Sequence, residues 1–139
     1  MDKRRLVIGI SLLIVALLLA GCEGYSEMNS STSGQHDSTG GYMTARVGKA
    51  NGTSTKTIET AASGTATIDA LVTLTVGTGS YKIELLGEND EVTLVVEAKA
   101  GESKTGQGSM VTDGFGEASY RVTAVEAGDV EYTIEYAFR

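Results

Sequence analysis

Few residues of this sequence have side chains suited to catalysis or metal binding. The chain contains one histidine, His36, and one cysteine, Cys22. A serine nucleophile needs a histidine held on a rigid element within hydrogen-bond reach, and a structural zinc site needs several histidines or cysteines. His36 lies in a segment rich in serine, glycine and threonine, which does not provide a rigid element. The sequence therefore predicts neither a catalytic triad nor a zinc site, and no cofactor.

Two groups of acidic residues are the remaining candidates for ligand binding. Glu88, Asp90 and Glu91 cluster in one predicted turn, and Glu126 and Asp129 flank another. Carboxylate oxygens are the ligands that calcium prefers, but neither group has the spacing of a known calcium motif. We interpret both groups as solvated turn residues, with calcium-assisted ligand binding as the alternative.

Phe115 is the third candidate, because it stands between Gly114 and Gly116 in a turn that begins at Asp113. A large apolar side chain in such a turn either packs back onto the domain as a plug or is exposed as a contact. We favour the plug, and we count Asp113 and Phe115 among the candidate ligand-loop residues.

Tyrosines are also candidates, because they are able to stack on sugars. Tyr120, Tyr132 and Tyr136 alternate in phase with apolar neighbours such as Val122 and Ile134. This phase predicts that the three rings pack in the core.

The N-terminus has the layout of a secretory signal, with a short basic stretch followed by an apolar run at residues 6–20. The run is shorter than the ~20 residues of a comfortable membrane span. Leu19, Ala20, Gly21 and Cys22 follow in order, and these four residues resemble the lipobox of bacterial lipoproteins.

The resemblance implies cleavage before Cys22 and attachment of a diacylglyceryl group to its thiol, with a third acyl chain on its amine as a further modification. Two or more chains anchor a protein stably to a membrane. The resemblance thus implies a protein of the cell membrane or outer membrane, with its domain on the extracytoplasmic side. An uncleaved single-span anchor is the alternative.

The charge of the chain excludes one class of partner. The formal net charge is −7, and it becomes −9 once residues 1–21, which carry three basic residues and one acidic residue, are removed. Nucleic-acid binding needs clustered lysine and arginine. We therefore predict no nucleic-acid partner, and the membrane, an envelope protein or a glycan remain.

Two regions follow the predicted signal peptide. Residues 22–41 combine the lipidated cysteine with a stretch rich in serine, glycine and threonine, which predicts a flexible tether with a reach of about 25 Å. From residue 42 to 139 apolar and polar residues alternate, which predicts half-buried strands. The alternation is clearest over Asp129–Arg139.

These strands predict an all-β fold, a single antiparallel β-sandwich of seven or eight strands in Greek-key or jelly-roll order. Turns are predicted at Asn51-Gly52, where a hairpin would join the first two strands, at Gly77-Thr78-Gly79, and at residues 126–129. The glycine-rich stretch at residues 104–112 is either an edge strand or a loop.

Together these features predict a non-enzymatic, membrane-anchored surface or periplasmic lipoprotein that acts as a binding or structural module of the cell envelope. The alternative is a carbohydrate-binding β-sandwich module, with or without calcium.

Overall fold

The computed structural model describes residues 24–139, so the predicted signal peptide and lipobox lie outside the described residues. The described part is all-β, with one 3₁₀ turn at Glu88–Asp90. Its seven strands are β1 (Ser26–Met28), β2 (Ser31–His36), β3 (Gly40–Glu59), β4 (Thr67–Leu86), β5 (Val92–Lys99), β6 (Ser103–Val111) and β7 (Glu117–Phe138). Residues 24–139 include no helix with the length and apolar character needed to cross a membrane.

All strand pairs are antiparallel, and they follow the order β1-β3-β7-β4-β5, with β2 also paired to β3 and β6 to β4. β3, β4 and β7 have 20, 20 and 22 residues, several times the usual strand length. Each has an irregularity near its middle. The register shifts between Ala50 and Gly52 in β3 and between Thr78 and Ser80 in β4, and Glu126 and Asp129 of β7 have positive φ. The sheet bends at these corners and folds into two layers.

The register of the pairs defines both layers. The front layer runs β2, residues 40–50 of β3, 127–138 of β7, 67–76 of β4, then β6. The back layer runs residues 52–59 of β3, 117–125 of β7, 80–86 of β4, then β5. The front layer thus has five strands and the back layer four. Apart from the edge strand β2, the four strands of each layer are joined in the order of a jelly roll. The predicted single β-sandwich is confirmed, and the order is the jelly-roll alternative.

The two ends of the sandwich differ in their connections. One end, here called the corner end, contains the three bends and the turn between β5 and β6. The opposite end, the loop end, contains the connections at residues 37–39, 60–66, 87–91 and 112–116.

The core lies between the layers and consists of the inward side chains of each alternating strand. Tyr81 and Tyr132 are among the largest fully buried side chains, together with Ile68, Leu74, Ile83, Leu85, Met110 and Ile134. Tyr120 and Tyr136 are also buried, so the prediction that these tyrosines pack in the core is confirmed. Burying each large aliphatic side chain stabilises the fold by roughly 1.5–3 kcal/mol.

Three predicted turns are corrected by the structure. Asn51-Gly52, residues 77–79 and residues 126–129 do not end strands, because each lies inside one long strand at a corner. Gly52 and Gly79 have φ of 101° and 67°. A β-bulge of the G1 type and a two-residue hairpin both use residues that accept positive φ, so the same residue types occur in either.

The predicted tether is also corrected. Residues 26–28 and 31–36 pair with β3, so the strands begin well before residue 42. Every residue of β2 is exposed, including His36, which pairs with Gly41. A strand held on a sheet edge by backbone hydrogen bonds needs no apolar side chains, and its polar composition therefore resembles that of a flexible segment.

The sequence pattern allowed either an edge strand or a loop at residues 104–112. This stretch forms most of edge strand β6. Two of its glycines lie where the two layers approach each other closely. A Cβ atom built on Gly106 would lie 2.8 Å from Val96 Cγ2, and one on Gly108 would lie 2.7 Å from Leu94 Cβ. β5 packs so closely over β6 that neither position has room for a side chain.

Candidate functional site

The predicted acidic groups lie at opposite ends of the sandwich. Glu88, Asp90 and Glu91 are exposed at the loop end, whereas Glu126 and Asp129 are exposed at the corner end. Among residues 24–139, no three His, Cys, Asp or Glu side chains converge in a way that would hold a metal ion. The structure therefore does not bring the two groups together into one ligand site.

Phe115 is 90% exposed, so the predicted plug is wrong. Asp113 explains the conformation of its turn, because Asp113 Oδ1 accepts hydrogen bonds from the backbone N–H of Phe115 at 2.8 Å and of Glu117 at 3.0 Å. Asp113 thus organises the turn, and the turn directs the Phe115 ring into solvent.

A different site, which sequence reasoning did not identify, lies on the outer face of the front layer. Five residues stand opposite one another across five strands in one cross-strand row, here called the Tyr42 row: Gln35, Tyr42, Glu135, Leu71 and Gln107. Neighbouring strands are 4.7–4.9 Å apart, so the row is about 19 Å long.

The Tyr42 row combines one aromatic ring with hydrogen-bonding groups. Tyr42 is 43% exposed, Gln35, Glu135 and Gln107 are exposed, and Leu71 is half-buried. An amide side chain both donates and accepts hydrogen bonds, whereas a carboxylate accepts them. The row is therefore equipped to bind a polar ligand that also has a flat apolar face.

Shallow depressions border the row on either side of β7. One, of about 480 Å³, is lined by Asp69, Leu71, Gln107 and Glu135. The other, of about 360 Å³, is lined by residues 35–37 and by Tyr42. Together they extend the surface along which a long ligand would lie.

A second row, of hydroxyl groups, lies next to the Tyr42 row on the same face. Its members are Ser33, Thr44, Thr133, Thr73 and Thr105. The hydroxyls of Thr44 and Thr133 are 3.0 Å apart and share a hydrogen bond. These groups add donors and acceptors beside Tyr42.

The turn before β3 fixes the edge of this face near Tyr42. Asp37 Oδ1 accepts hydrogen bonds from the Thr39 hydroxyl at 2.6 Å and from the backbone N–H groups of Thr39 and Gly40 at 2.7 and 3.2 Å. These hydrogen bonds, chiefly the one from the Thr39 side chain, hold the pKa of Asp37 below its ordinary value. An ionised carboxylate accepts these hydrogen bonds more strongly than a neutral carboxyl group does.

Arg139 pairs with Asp69, which lines the depression of about 480 Å³. Its guanidinium group binds Asp69 Oδ1 through both Nε and Nη2, each at 2.9 Å. Both side chains are more than half exposed, so the pair contributes little to stability but fixes the position of a carboxylate beside the row.

No protein-family model matches this chain, and no curated protein matches it. Several solved structures align with this chain at low identity. A carbohydrate-binding module of the Cellvibrio mixtus lichenase 5A, in complex with cellotriose, aligns over 81% of this chain and 88% of its own, at 11% identity and a TM-score of 0.35. A CBM4 structure aligns over 79% of each chain at 9% identity and a TM-score of 0.37.

A further likeness is to the cupin domain of Schizosaccharomyces pombe Cnp3, over 82% of this chain and 64% of that one, at 5% identity and a TM-score of 0.38. At these identities and TM-scores, the likenesses carry no argument about function. The class of protein is therefore defined by the strand order alone, which is that of a jelly-roll β-sandwich.

Proposed function

We propose that this protein is a non-catalytic, lipid-anchored binding module of the cell envelope, and that the Tyr42 row binds a glycan. The resemblance of residues 19–22 to a lipobox supports the anchor. The observation that carries the proposed ligand is the exposed Tyr42 ring, which stands among two amides and a carboxylate in one row.

A glycan fits the chemistry of the face better than a protein does. Sugar rings present a flat apolar face that stacks on an aromatic ring, and hydroxyl groups at their edges that pair with amides, carboxylates and hydroxyls. The core of a protein interface is typically richer in aromatic and apolar side chains. On the Tyr42 row only Tyr42 and Leu71 supply apolar surface, and both are flanked by polar groups.

The carboxylates near the row support binding rather than hydrolysis. A glycosidase needs one carboxyl group with a raised pKa to protonate the leaving oxygen and a second to attack or to activate water. Glu135 is exposed, and Asp69 is exposed and bound to Arg139. An exposed carboxylate paired with a guanidinium group is poorly suited to donate a proton.

The glycan proposal is tested by native gel retardation of the full-length protein in mild detergent, in gels that contain soluble xylan, β-glucan, mannan or solubilised peptidoglycan. We expect at least one polymer to retard the wild type, and Tyr42→Ala to weaken binding by about tenfold, which corresponds to ~1.4 kcal/mol. Val125→Ala, which truncates another exposed apolar side chain away from the front face, is the matched control.

Two outcomes count against the proposal. Absence of retardation by every polymer, or equal retardation of the wild type and Tyr42→Ala, would exclude the Tyr42 row as a glycan site. Release of reducing ends from a retarding polymer, abolished by Glu135→Gln, would show a catalyst instead of a binding module. The anchor is tested separately, because Cys22→Ala should move the protein out of the membrane fraction.

A further inference from the structure

We propose that the corner end of the sandwich rests directly on the lipid surface, with the loop end directed away from it. This inference rests on the proposed lipid anchor at Cys22. It goes beyond the anchor because it assigns a membrane-contact surface and an orientation to the folded domain.

The described residues begin at the corner end of the sandwich. Gly24 and Tyr25 lie against the bend of β3, so that a Cβ atom built on Gly52 would be 2.6 Å from the Gly24 carbonyl oxygen and 3.0 Å from Tyr25 Cα. Ser26 then pairs with Asn51. The chain therefore joins the domain at the corner end.

Residues 25–27 are held firmly against the domain. The Tyr25 hydroxyl donates a hydrogen bond to Glu27 Oε2 at 2.5 Å, and its oxygen is 3.3 Å from the Tyr81 hydroxyl. Lys56 Nζ lies 5.3 Å from the centroid of the Tyr25 ring, within the range of a cation–π interaction, and 3.0 Å from Glu27 Oε2. Tyr25 also packs partly buried against the core.

The short chain between Cys22 and Gly24 limits how far the domain is able to lie from the lipid. Two residue steps separate Gly24 from Cys22, and an extended chain spans at most 3.3–3.6 Å per residue, which gives about 7 Å. A lipid on Cys22 would thus hold Gly24, and the corner end with it, next to the headgroups. The flexible tether that the sequence predicted would instead have allowed about 25 Å.

The corner end also has apolar surface to place against lipid. Met28 is 61% exposed and Val125 is 58% exposed. Met28 and Ala50 line a depression of about 520 Å³ at this end. Glu126, Asp129 and Lys49 line the same depression, so this end carries no cluster of basic residues for anionic lipid, and the anchor itself supplies most of the binding free energy.

The orientation is tested with tryptophan probes, because the chain contains no tryptophan. Val125→Trp places a probe at the corner end and Phe115→Trp places one at the loop end, both at exposed positions. The full-length lipidated variants are reconstituted into vesicles of phosphatidylcholine brominated near the top of its acyl chains. We expect quenching of the Val125→Trp fluorescence and none of the Phe115→Trp fluorescence. Met28→Trp serves as a second corner probe.

The same samples are floated on a density gradient, which separates failure of the anchor from failure of the orientation. If the wild type does not float, or floats no better than Cys22→Ala, then the anchor and the orientation both fail. If all variants float but the Met28 and Val125 probes are quenched no more than the Phe115 probe, the anchor stands and the orientation is overturned.

Discussion

The hydroxyl oxygens of Tyr25 and Tyr81 lie 3.3 Å apart and join the start of the described chain to the centre of the sandwich. Tyr81 stacks on Tyr132 with ring centroids 5.7 Å apart, and the Tyr132 hydroxyl is 2.9 Å from that of Tyr120. Tyr81 and Tyr120 belong to the back layer and Tyr132 to the front layer, so this chain of rings also connects the two layers.

Replacement of Tyr25 should weaken the whole domain. We expect Tyr25→Ala to lower the free energy of unfolding by about 1–3 kcal/mol, less than for a fully buried aromatic residue because the ring is only partly buried. Urea unfolding followed by circular dichroism measures the change. Tyr42→Ala, which truncates an exposed ring, should stay within about 0.5 kcal/mol of the wild type. Equal losses in the two variants would contradict the role of Tyr25.

The buried tyrosines should make the fold sensitive to alkali. Burial is the main cause that raises the pKa of Tyr25, Tyr81, Tyr120 and Tyr132 far above the ordinary value of 10.0. The folded state keeps phenol protons that the unfolded chain releases, so stability is present in full below pH 10.0 and falls as the pH rises above it.

This prediction is checked by following tyrosinate absorbance and circular dichroism together, in a Tyr42→Phe background that removes the exposed tyrosine. We expect the tyrosinate signal of the buried rings to appear only as the β signal is lost. Ionisation of these rings with an intact β signal would contradict it.

The contribution of Glu27 to the free energy of unfolding should depend on pH. Partial burial raises the pKa of Glu27, but hydrogen bonds from Tyr25, Ser30 and Lys56 outweigh this effect and hold the pKa below its ordinary value of 4.5. A depressed pKa in the folded state stabilises the fold above the unfolded pKa, and this stabilisation is lost as the pH falls through the folded pKa.

Glu27→Gln should therefore be less stable than the wild type at neutral pH, and the difference should shrink below about pH 4.5. Urea unfolding at a series of pH values measures it. Glu131→Gln, which removes an exposed partner of Arg46, is the control and should show little difference at any pH. A difference for Glu27→Gln that does not change with pH would point to packing instead of charge.

The close approach of β5 to β6 predicts intolerance of side chains on β6. Gly108→Ala would place its Cβ 2.7 Å from Leu94 Cβ, an atom next to the backbone that has little freedom to move. We expect a loss of about 1–3 kcal/mol of stability. Gly114→Ala is the matched control, because a Cβ there meets nothing within 4 Å. Thermal unfolding of both variants would distinguish them, and an unchanged midpoint for Gly108→Ala would refute the packing argument.

Thr112 is a buried polar residue that ties the loop end together. Its hydroxyl donates to the Gly64 carbonyl at 2.7 Å and accepts from the Ala66 backbone N–H, also at 2.7 Å. Thr112→Val keeps the shape but leaves both groups without that partner, at a cost of about 1–3 kcal/mol. Thr112→Ser keeps the hydroxyl and should cost only about 0.8 kcal/mol for the lost methyl group. The reverse order in urea unfolding would contradict this assignment.

The layered β fold was predictable because every strand of the core has one buried and one solvated face. Ile134 and Tyr132 alternate with exposed or half-exposed neighbours such as Glu131 and Thr133, and that alternation is visible in the sequence. The bends were not predictable, because Gly52 and Gly79 accept positive φ equally well in a hairpin and in a corner. Strand β2 escaped prediction since its side chains are all exposed and its place depends only on backbone pairing.

The Tyr42 row was also beyond the sequence. Gln35, Tyr42 and Gln107 become neighbours of Glu135 and Leu71 only through the register of four strand pairs, and register depends on long-range pairing. Tyr42 itself offered a local signal. It is the first residue of the alternating region, and the alternation did not assign its side chain to the buried face. Phe115 carried no signal that distinguished exposure from burial.

The position of β7 constrains the order in which the molecule is able to form. β7 lies between β3 and β4 in both layers, although it is the last strand in the sequence. Neither layer closes until residues 117–138 have paired, so before that step β3 and β4 each have an unpaired edge. Most native contacts join distant parts of the sequence, which slows folding. The two layers should therefore form together in a single late step, once β7 has paired with both β3 and β4.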